Sequence, residues 1–315
     1  MTRTLPVCIS GLALLLLACG GLTFISSPTP IPTWTPSMPP SPTETATAAP
    51  TASPTHTATL PPSETPSPTL TPTLTAYLRG PGEINVPILL YHHIGVSRKG
   101  DTIYYISPDM FDREMNLLYQ WGYRTISVEL LVRAIREGAE LPARPIILTF
   151  DDGSETVHSA ALPIMQRYGF TGTAYIVHNY VGIPGFMDVD QIRELYESGW
   201  EIGSHGLSHQ DLPKHPARQR NEIVSSRRKL ESLLDLPVAS FSYPFGAYDS
   251  DSLYYVHYVD YIAAMGLGEE TVQGSDNLFY LYRQPVTGTD DLAAFAALLP
   301  WQGYTLNLPA LTIVP

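Results

Sequence analysis

Short apolar runs alternate with helix-like segments along residues 80–315, and this alternation restricts the chain to few architectures. The runs at 145–150 and 239–244 predict strands, because they are short and rich in apolar or β-branched residues. By contrast, 109–123 carries apolar residues at helical spacing, and 188–199 begins with Asp and ends with Gly, as helices often do. Residues 218–234 predict one long helix with a polar face. The pattern predicts an α/β fold with a mostly parallel sheet, open or closed into a barrel.

The chain ahead of this predicted domain has two parts. Residues 27–79 are dominated by Pro, Thr and Ser, and bury too little apolar surface to offset chain entropy, so we expect a disordered linker. Residues 1–26 predict an export signal, with Arg3 ahead of a hydrophobic stretch too short for an ordinary spanning helix. Residues 16–20 resemble a bacterial lipobox, in which Cys19 is lipidated; a plain cleaved signal or an uncleaved anchor is the alternative.

Cysteine content and charge exclude several classes of site and partner. The chain has two cysteines, Cys8 and Cys19, and both precede the linker, so the predicted domain has no disulfide and no thiolate metal site. Any metal must be held by His, Asp or Glu. The formal net charge of −12 argues against nucleic acid as a partner. With lipid attachment at Cys19, the sequence predicts an extracytoplasmic protein that is anchored to a membrane, or else secreted.

Polar side chains follow four of the predicted strands, at the point where each strand ends. In β/α folds the chemistry lies at the C-terminal ends of the strands, so these residues should share one face of the sheet. They are His92 and His93, Asp151 and Asp152, His205 and His209, and the run Tyr243, Pro244, Phe245 and Gly246.

Two of these groups predict a metal site. His205 and His209 are four residues apart, and on one helical turn this spacing puts both imidazoles on the same side, with Ser208 placed to orient a ring. With Asp152 they complete the three protein ligands that catalytic zinc sites use beside an open position. If Asp152 binds the cation, the adjacent Asp151 lies close to water on it and can act as a general base.

Each element of this site has a simpler interpretation when taken alone. An isolated pair of histidines is as readily a solvated loop. The two aspartates also suit a Mg²⁺-binding strand end of the phosphotransfer type, or a turn. The combination favours the metal site, because a cation offsets the repulsion between two adjacent carboxylates.

Three motifs together resemble a known family. They are TFDDG at 149–153, SHGLSH at 204–209 and FSYPFG at 241–246, and in this order they resemble the NodB-homology polysaccharide deacetylases, carbohydrate esterase family 4. The resemblance covers most of residues 84–300. It implies a distorted (β/α) barrel, and it implies hydrolysis of the amide bond of an N-acetylhexosamine in a polysaccharide.

The resemblance also implies roles for individual residues. By analogy with the family, Asp151 is the catalytic base, and Asp152, His205 and His209 bind a divalent metal, usually zinc. The substrate is then an N-acetylglucosamine polymer or a peptidoglycan-like glycan.

The third motif departs from the family pattern. The usual Arg before the Pro is missing, and Phe245 stands where Tyr is usual after Pro244. A backbone N–H near Tyr243 or Phe245 can still stabilise an oxyanion, because a main-chain donor depends little on the side chain. Arg283 is the candidate for the missing positive partner of Asp151.

A second departure concerns the general acid. The family's late His has no counterpart, because no histidine follows His257. The poly-N-acetylglucosamine deacetylases of biofilm systems, a circularly permuted form of the fold, begin with a Tyr-His strand end similar to YHH at 91–93. In that subgroup the His after Tyr is the acid, which implies this role for His92 and a structural role for His93; the reverse assignment stays open.

The sequence therefore predicts a metal-dependent polysaccharide deacetylase, with three alternatives. The same machinery could act as an O-acetyl esterase on an acetylated glycan such as xylan. The domain could be a non-catalytic glycan-binding module. Finally, the aspartate pair could serve a Mg²⁺-dependent phosphotransfer or phosphatase reaction that needs neither His205 nor His209.

Overall fold

A computed structural model describes residues 76–97, 100 and 102–303 of the chain. The predicted signal with Cys19, the predicted linker up to residue 75 and the last residues, 304–315, lie outside the described part. Among the described helices, none has the length and apolar character needed to cross a bilayer.

Strands and helices alternate over most of the described chain. The strands are β1 (Ala76–Arg79), β2 (Ile84–Asn85), β3 (Ile88–Tyr91), β4 (His93–Ile94), β5 (Tyr105–Ile106), β6 (Tyr123–Thr125), β7 (Ala139–Pro142), β8 (Arg144–Phe150), β9 (Thr173–Ile176), β10 (Glu201–Ser204), β11 (Ser240–Ser242), β12 (Ala263–Met265), β13 (Val272–Gln273) and β14 (Gln284–Pro285). The helices are α1 (Pro108–Gln120), α2 (Val128–Glu137), α3 (Leu162–Arg167), α4 (Val189–Glu197), α5 (Ser226–Leu234), α6 (Ser250–Tyr258) and α7 (Leu292–Ala297).

Two helices, α1 and α4, begin and end within three residues of where the local sequence predicts. In α1, Phe111, Met115 and Leu118 form the buried face, and the Ser107 side chain accepts a hydrogen bond from a first-turn N–H. In α4, the Asp188 side chain caps the first turn through a capping box, and the helix stops just ahead of Gly199.

A parallel sheet forms the centre of the domain. Its strand order is β12-β11-β10-β9-β8-β3-β14, and β6 also pairs with β8. The segment that leads into β14 is bonded to β12 as well: the Leu281 N–H donates to the Ala264 carbonyl (2.8 Å), and the Gly266 N–H donates to the Leu281 carbonyl (2.9 Å). An irregular segment thus links the two ends of the sheet, and the predicted distorted (β/α) barrel is confirmed.

Both faces of the sheet are covered, so nearly all residues of its central strands are buried. In β8, Ile146 and Leu148 belong to the same apolar cluster as the buried face of α1. Ile147 belongs to a second cluster, which also contains Tyr175 and Met265. Because side chains alternate along a strand, the odd-numbered positions of β8 face the barrel interior and lead directly to Asp151.

Two boundaries differ from the sequence prediction. Residues 76–79, assigned above to the linker, form β1, which pairs antiparallel with β7. Their side chains are mostly exposed, so backbone hydrogen bonds rather than burial hold this strand, and a burial pattern could not reveal it. The single long helix expected over 218–234 is also interrupted, because a π-helical stretch at Asn221–Ser225 precedes α5.

Candidate active site

The polar strand ends line one open cavity of about 550 Å³. It lies at the C-terminal ends of the parallel strands, as the sequence predicts. The polar and aromatic side chains that surround it are His92, His93, Tyr104, Tyr105, Asp151, Asp152, His205, His209, Tyr243, Phe245 and Arg283.

Asp152, His205 and His209 converge inside this cavity. The Oδ1 atom of Asp152 lies 3.6 Å from Nε2 of His205 and 3.3 Å from Nε2 of His209. Nδ1 of His205 lies 2.8 Å from the Ser242 carbonyl oxygen, so Nδ1 carries the proton and Nε2 presents its lone pair to the cavity.

One atom of this group has no partner of its own. Asp152 Oδ1 is buried and has no hydrogen bond within the described chain. One ligand atom from each of the three side chains lies within 4.8 Å of the others. Two imidazole nitrogens and one carboxylate oxygen are the donors that a catalytic zinc site uses, so these three residues fit a small divalent cation.

The two histidines converge for a different reason from the predicted one. The helical turn expected at 205–209 is wrong, because β10 ends at Ser204 and a loop follows. Gly206 (φ 85°) and His209 (φ 56°) adopt left-handed backbone conformations, which turn the chain so that the imidazole centroids of His205 and His209 lie 4.9 Å apart. Ser208 does not orient a ring; its hydroxyl donates to Glu222.

Asp151 is held by Arg283, the partner that the sequence could only suggest. The guanidinium donates to both carboxylate oxygens, at 2.8 Å each, and the Ser242 hydroxyl adds a bond of 3.0 Å. Arg283 also bonds Thr149, the Gly266 carbonyl and Ser242, so each of its nitrogens has a partner. The whole arrangement is buried.

The two adjacent aspartates have pKa values that move in opposite directions. Burial acts to raise the pKa of Asp151, but Arg283 and then His205 outweigh it and hold that pKa well below its ordinary value. Burial and the neighbouring Asp151 raise the pKa of Asp152 to about 7. A cation on Asp152 would oppose this rise, because it favours the charged carboxylate.

The imidazoles near Asp152 are neutral at ordinary pH. Burial lowers the pKa of His205 to about 3 and also lowers the pKa of His209. Neutral imidazole is the form that binds a metal. The same environment that disfavours protonated histidine therefore prepares both side chains for ligation.

His92 and His93 have different surroundings. His92 lines the cavity beside Tyr104, with ring centroids 4.8 Å apart, and burial lowers its pKa to about 4 against an opposing effect of Asp151. His93 reaches the rim, but its Nδ1 lies 2.8 Å from the Ser154 hydroxyl and its ring stacks on Tyr105 at 4.3 Å. Protein contacts thus hold His93 on two sides.

The third motif provides one oxyanion candidate rather than two. The Tyr243 N–H donates to the Met265 carbonyl (3.1 Å) and is therefore committed to the sheet. Pro244 has no N–H. The N–H of Phe245 is the remaining candidate, and the Phe245 ring, 62% exposed, packs edge-on against His209 at 4.6 Å.

Glu222 is a feature of the site that the sequence analysis missed. It was assigned to a polar helix face, yet its side chain is buried. The signal was present: Glu222, Ser226, Leu230 and Leu234 follow one another at intervals of four, and all are buried. A carboxylate on the same helix face as a small Ser and two leucines indicates a buried charge with a structural or functional role.

Comparison with known proteins places this site in a family. The family model named polysaccharide deacetylase matches residues 138–264, which include both aspartates and both histidines of the convergent group. The domain that contains these residues is that of a polysaccharide deacetylase. This deacetylase is 25% identical over 217 residues to the poly-β-1,6-N-acetyl-D-glucosamine N-deacetylase of Staphylococcus aureus, covering 64% of this chain and 73% of that protein.

Solved structures agree with this assignment. A polysaccharide deacetylase of Bacillus cereus has a TM-score of 0.61 and 27% identity, and the match covers 69% of each chain. The Streptococcus pyogenes deacetylase PplD, solved in complex with acetate, has a TM-score of 0.63 and 23% identity, covering 69% of this chain and 98% of that one. The deacetylase is accordingly a hydrolase with the fold of carbohydrate esterase family 4.

Proposed function

We propose that this deacetylase removes N-acetyl groups from N-acetylglucosamine units of a polysaccharide. The observation that carries the proposal is the convergence of Asp152, His205 and His209 in a cavity that also holds Asp151 and His92. The Staphylococcus aureus relative, named for a poly-β-1,6-N-acetyl-D-glucosamine substrate, supports this class of polymer.

Asp152, His205 and His209 would hold a divalent cation, and their chemistry suits zinc best. Such a cation, when bound, makes water more acidic and polarises a carbonyl oxygen. The residues contribute neutral imidazoles and a carboxylate whose buried Oδ1 has no competing partner. The Ser242 carbonyl fixes the tautomer and the orientation of His205.

Asp151 is the general base in this proposal. Arg283 keeps its pKa low, so the carboxylate is ionised throughout the neutral range, as a proton acceptor must be. Two bonds from Arg283 and one from Ser242 fix the carboxylate orientation. Asp151 would therefore receive the proton of the attacking water in a defined geometry.

His92 protonates the departing amine, and the Phe245 N–H supports the developing oxyanion. His92 faces the same cavity as Asp151, and burial lowers its pKa to about 4 against the opposing effect of Asp151, so in this proposal the ring takes up a proton during turnover and passes it to the amine. In the net reaction, water adds its hydroxyl to the acetyl carbon and its proton to the nitrogen. The products are acetate and a free amino sugar.

The test is release of acetate from β-1,6-linked N-acetylglucosamine oligomers, compared with acetylated xylan oligomers. We expect release from the amide substrate, loss of release on chelation, and recovery on addition of zinc. An Asp151→Asn variant should bind zinc without turnover. Release from xylan alone would identify an O-acetyl esterase, and glycan binding without any release would identify a binding module.

The location of the protein is part of the same proposal. A lipid on Cys19 would retain the domain at the outer surface of a membrane, where polysaccharide is available. The Cys19→Ala variant should then move from the membrane fraction to the soluble fraction and lose incorporation of labelled fatty acid. A wild-type protein that takes up no label would refute the lipidation.

A further inference from the structure

A buried carboxylate lies behind the loop that carries His205 and His209. Glu222, only 2% exposed, precedes α5 and directs both of its oxygens at this loop. Oε2 accepts the backbone N–H groups of Leu207 (2.9 Å) and Ser208 (2.8 Å), and Oε1 accepts the Ser208 hydroxyl (2.5 Å). All three donors thus come from residues between the two histidines.

The loop is fixed from its other side as well. The Gly206 carbonyl accepts the His178 N–H (3.1 Å), and the Leu207 carbonyl accepts the Asn179 N–H (3.0 Å). A Cβ placed on Gly206 would lie 3.1 Å from Oε2 of Glu222, so the backbone approaches the carboxylate closely. The left-handed turns that bring the imidazoles together therefore depend on a carboxylate that satisfies the loop's N–H groups.

The charge of Glu222 has no cationic side chain beside it. Among the described residues, no Lys or Arg nitrogen lies within 4.0 Å of its carboxylate. The hydrogen bonds to its carboxylate come from two backbone N–H groups and one hydroxyl. A cation held by His205 and His209 would add a full positive charge on the opposite side of the same loop.

We propose that Glu222 is a positioning residue for the metal site: it holds the 205–209 loop in the shape that lets His205 and His209 bind one cation, and its charge adds to the affinity for that cation. This inference rests on the proposed function. It assigns a role to a residue that touches neither substrate nor metal.

The chain contains a matched control in Glu201. Its two oxygens accept the backbone N–H groups of Val128 (2.6 Å) and Glu129 (3.0 Å), and the Thr173 hydroxyl donates to it as well (3.2 Å). Glu201 thus has the same number and kind of bonds as Glu222. It differs in location, because it begins β10 and serves the first turn of α2, whereas the loop follows the end of β10.

The experiment titrates metal-free protein with zinc by calorimetry and records the visible absorption of the cobalt-loaded form. We expect Glu222→Gln to weaken zinc binding by about 10–100-fold and to alter the cobalt spectrum. Glu201→Gln should lower thermal stability yet keep the zinc affinity within about twofold of wild type, because its bonds do not reach the ligand loop.

Two outcomes would overturn the inference. If Glu222→Gln binds zinc as tightly as Glu201→Gln and gives the wild-type cobalt spectrum, Glu222 is only a structural carboxylate. If wild type binds no zinc, or binds it as well after Asp152→Ala, the proposed metal site fails and this inference fails with it. The first result leaves the proposed function intact.

A milder variant covers the case in which Glu222→Gln does not fold. Ser208→Ala removes one of the three bonds and should weaken zinc binding by about 3–10-fold. Thr173→Ala removes the corresponding hydroxyl bond at Glu201 and should leave zinc binding unchanged. Equal zinc affinities in these two variants would count against the proposal.

Discussion

The cavity has two halves, and each surrounds the carboxylate of one aspartate in a different way. In the closed half, Arg283 and Ser242 donate hydrogen bonds to Asp151, and these bonds satisfy both carboxylate oxygens. In the open half, Asp152 faces His205 and His209 with a buried oxygen that has no hydrogen-bond partner in the described chain. In the closed half, protein groups supply the hydrogen bonds of the carboxylate. In the open half, three side chains direct possible metal-ligand atoms toward one point.

The difference shows how one strand end can support two chemical roles. Asp151 and Asp152 are consecutive residues with a φ of 74° at Asp152, and both carboxylates lie 3.6 Å from Nε2 of His205. Their other partners differ, because Asp151 is bonded to Arg283 whereas Asp152 lies 3.3 Å from Nε2 of His209. The pKa of Asp151 is lowered by a fixed cationic side chain, and the pKa of Asp152 is raised to about 7. A carboxylate that a neighbouring cation keeps ionised is suited to act as a base. A carboxylate oxygen without a hydrogen-bond partner is suited to bind a metal ion.

The largest effect should come from breaking the open half. We expect His209→Ala to lose zinc and to lower acetate release by about 10⁴-fold or more, because the cation's stabilisation of developing charge is worth several kcal/mol. Zinc content by elemental analysis and turnover on an N-acetylglucosamine oligomer are the measurements. The fold should persist, since the closed half is untouched. A variant that retains one equivalent of zinc would contradict the assignment.

The next prediction separates proton donation from metal binding. His92→Ala should lower turnover on the amide by about 10²–10⁴-fold while zinc affinity stays at the wild-type value. An activated aryl acetate should suffer much less, because its leaving group departs without a proton. His93→Ala is the control, expected to affect stability more than the amide-to-ester ratio. Equal loss of zinc from His92→Ala and His209→Ala would reject the role given to His92.

Breaking the closed half should act first on stability. Arg283→Met leaves the buried Asp151 charge without its partner, and we expect the free energy of unfolding to fall by about 3–5 kcal/mol in urea titrations. Adding Asp151→Asn to this variant should recover a large part of the loss, because the unpaired charge is then gone. Failure of the double variant to recover stability would mean that packing, not charge, explains the effect.

Glu114 can be compared with Asp151 and Asp152, because it is also a buried carboxylate. Within the described residues it has neither an Arg ion pair, as Asp151 has, nor converging imidazoles, as Asp152 has. The Tyr91 hydroxyl donates to one of its oxygens (3.0 Å), the other has no partner in the described chain, and burial raises the pKa of Glu114 from 4.5 to about 8. Between these values the folded state keeps a proton that the unfolded state has released. Stability from this group is therefore present at acidic pH and is lost as the pH rises toward 8.

The corresponding variant is Glu114→Gln, which removes the titration. Between pH 5 and pH 8 the free energy of unfolding of wild type should decrease by about 3–4 kcal/mol more than that of the variant. Chemical denaturation at the two pH values measures this difference. Parallel pH profiles for the two proteins would show that Glu114 is already ionised in the folded state.

The sequence predicted those parts of the site that depend on local pattern and parallel topology. Strand ends at Asp151, Asp152 and His205 could be placed on one face, because parallel strands bring their carboxyl ends together. Arg283 lies 132 positions from Asp151, so only the expectation of a missing positive charge pointed to it.

The shape of the ligand loop could not be predicted in the same way. A spacing of four suggested a helical turn, whereas the loop depends on a left-handed conformation at His209 and on the distant Glu222. Such bonds leave no local periodicity. β1 was missed for a related reason, because pairing with β7 rather than side-chain burial defines it.

Phe245 combines an exposed ring at the cavity rim with a left-handed backbone (φ 62°, ψ 9°), a conformation that costs a non-glycine residue about 1–2 kcal/mol. Asn or Gly would relax that strain and would remove the aromatic ring that packs against His209. Directed evolution for heat resistance should therefore drift away from Phe at this position, whereas selection for turnover should retain it.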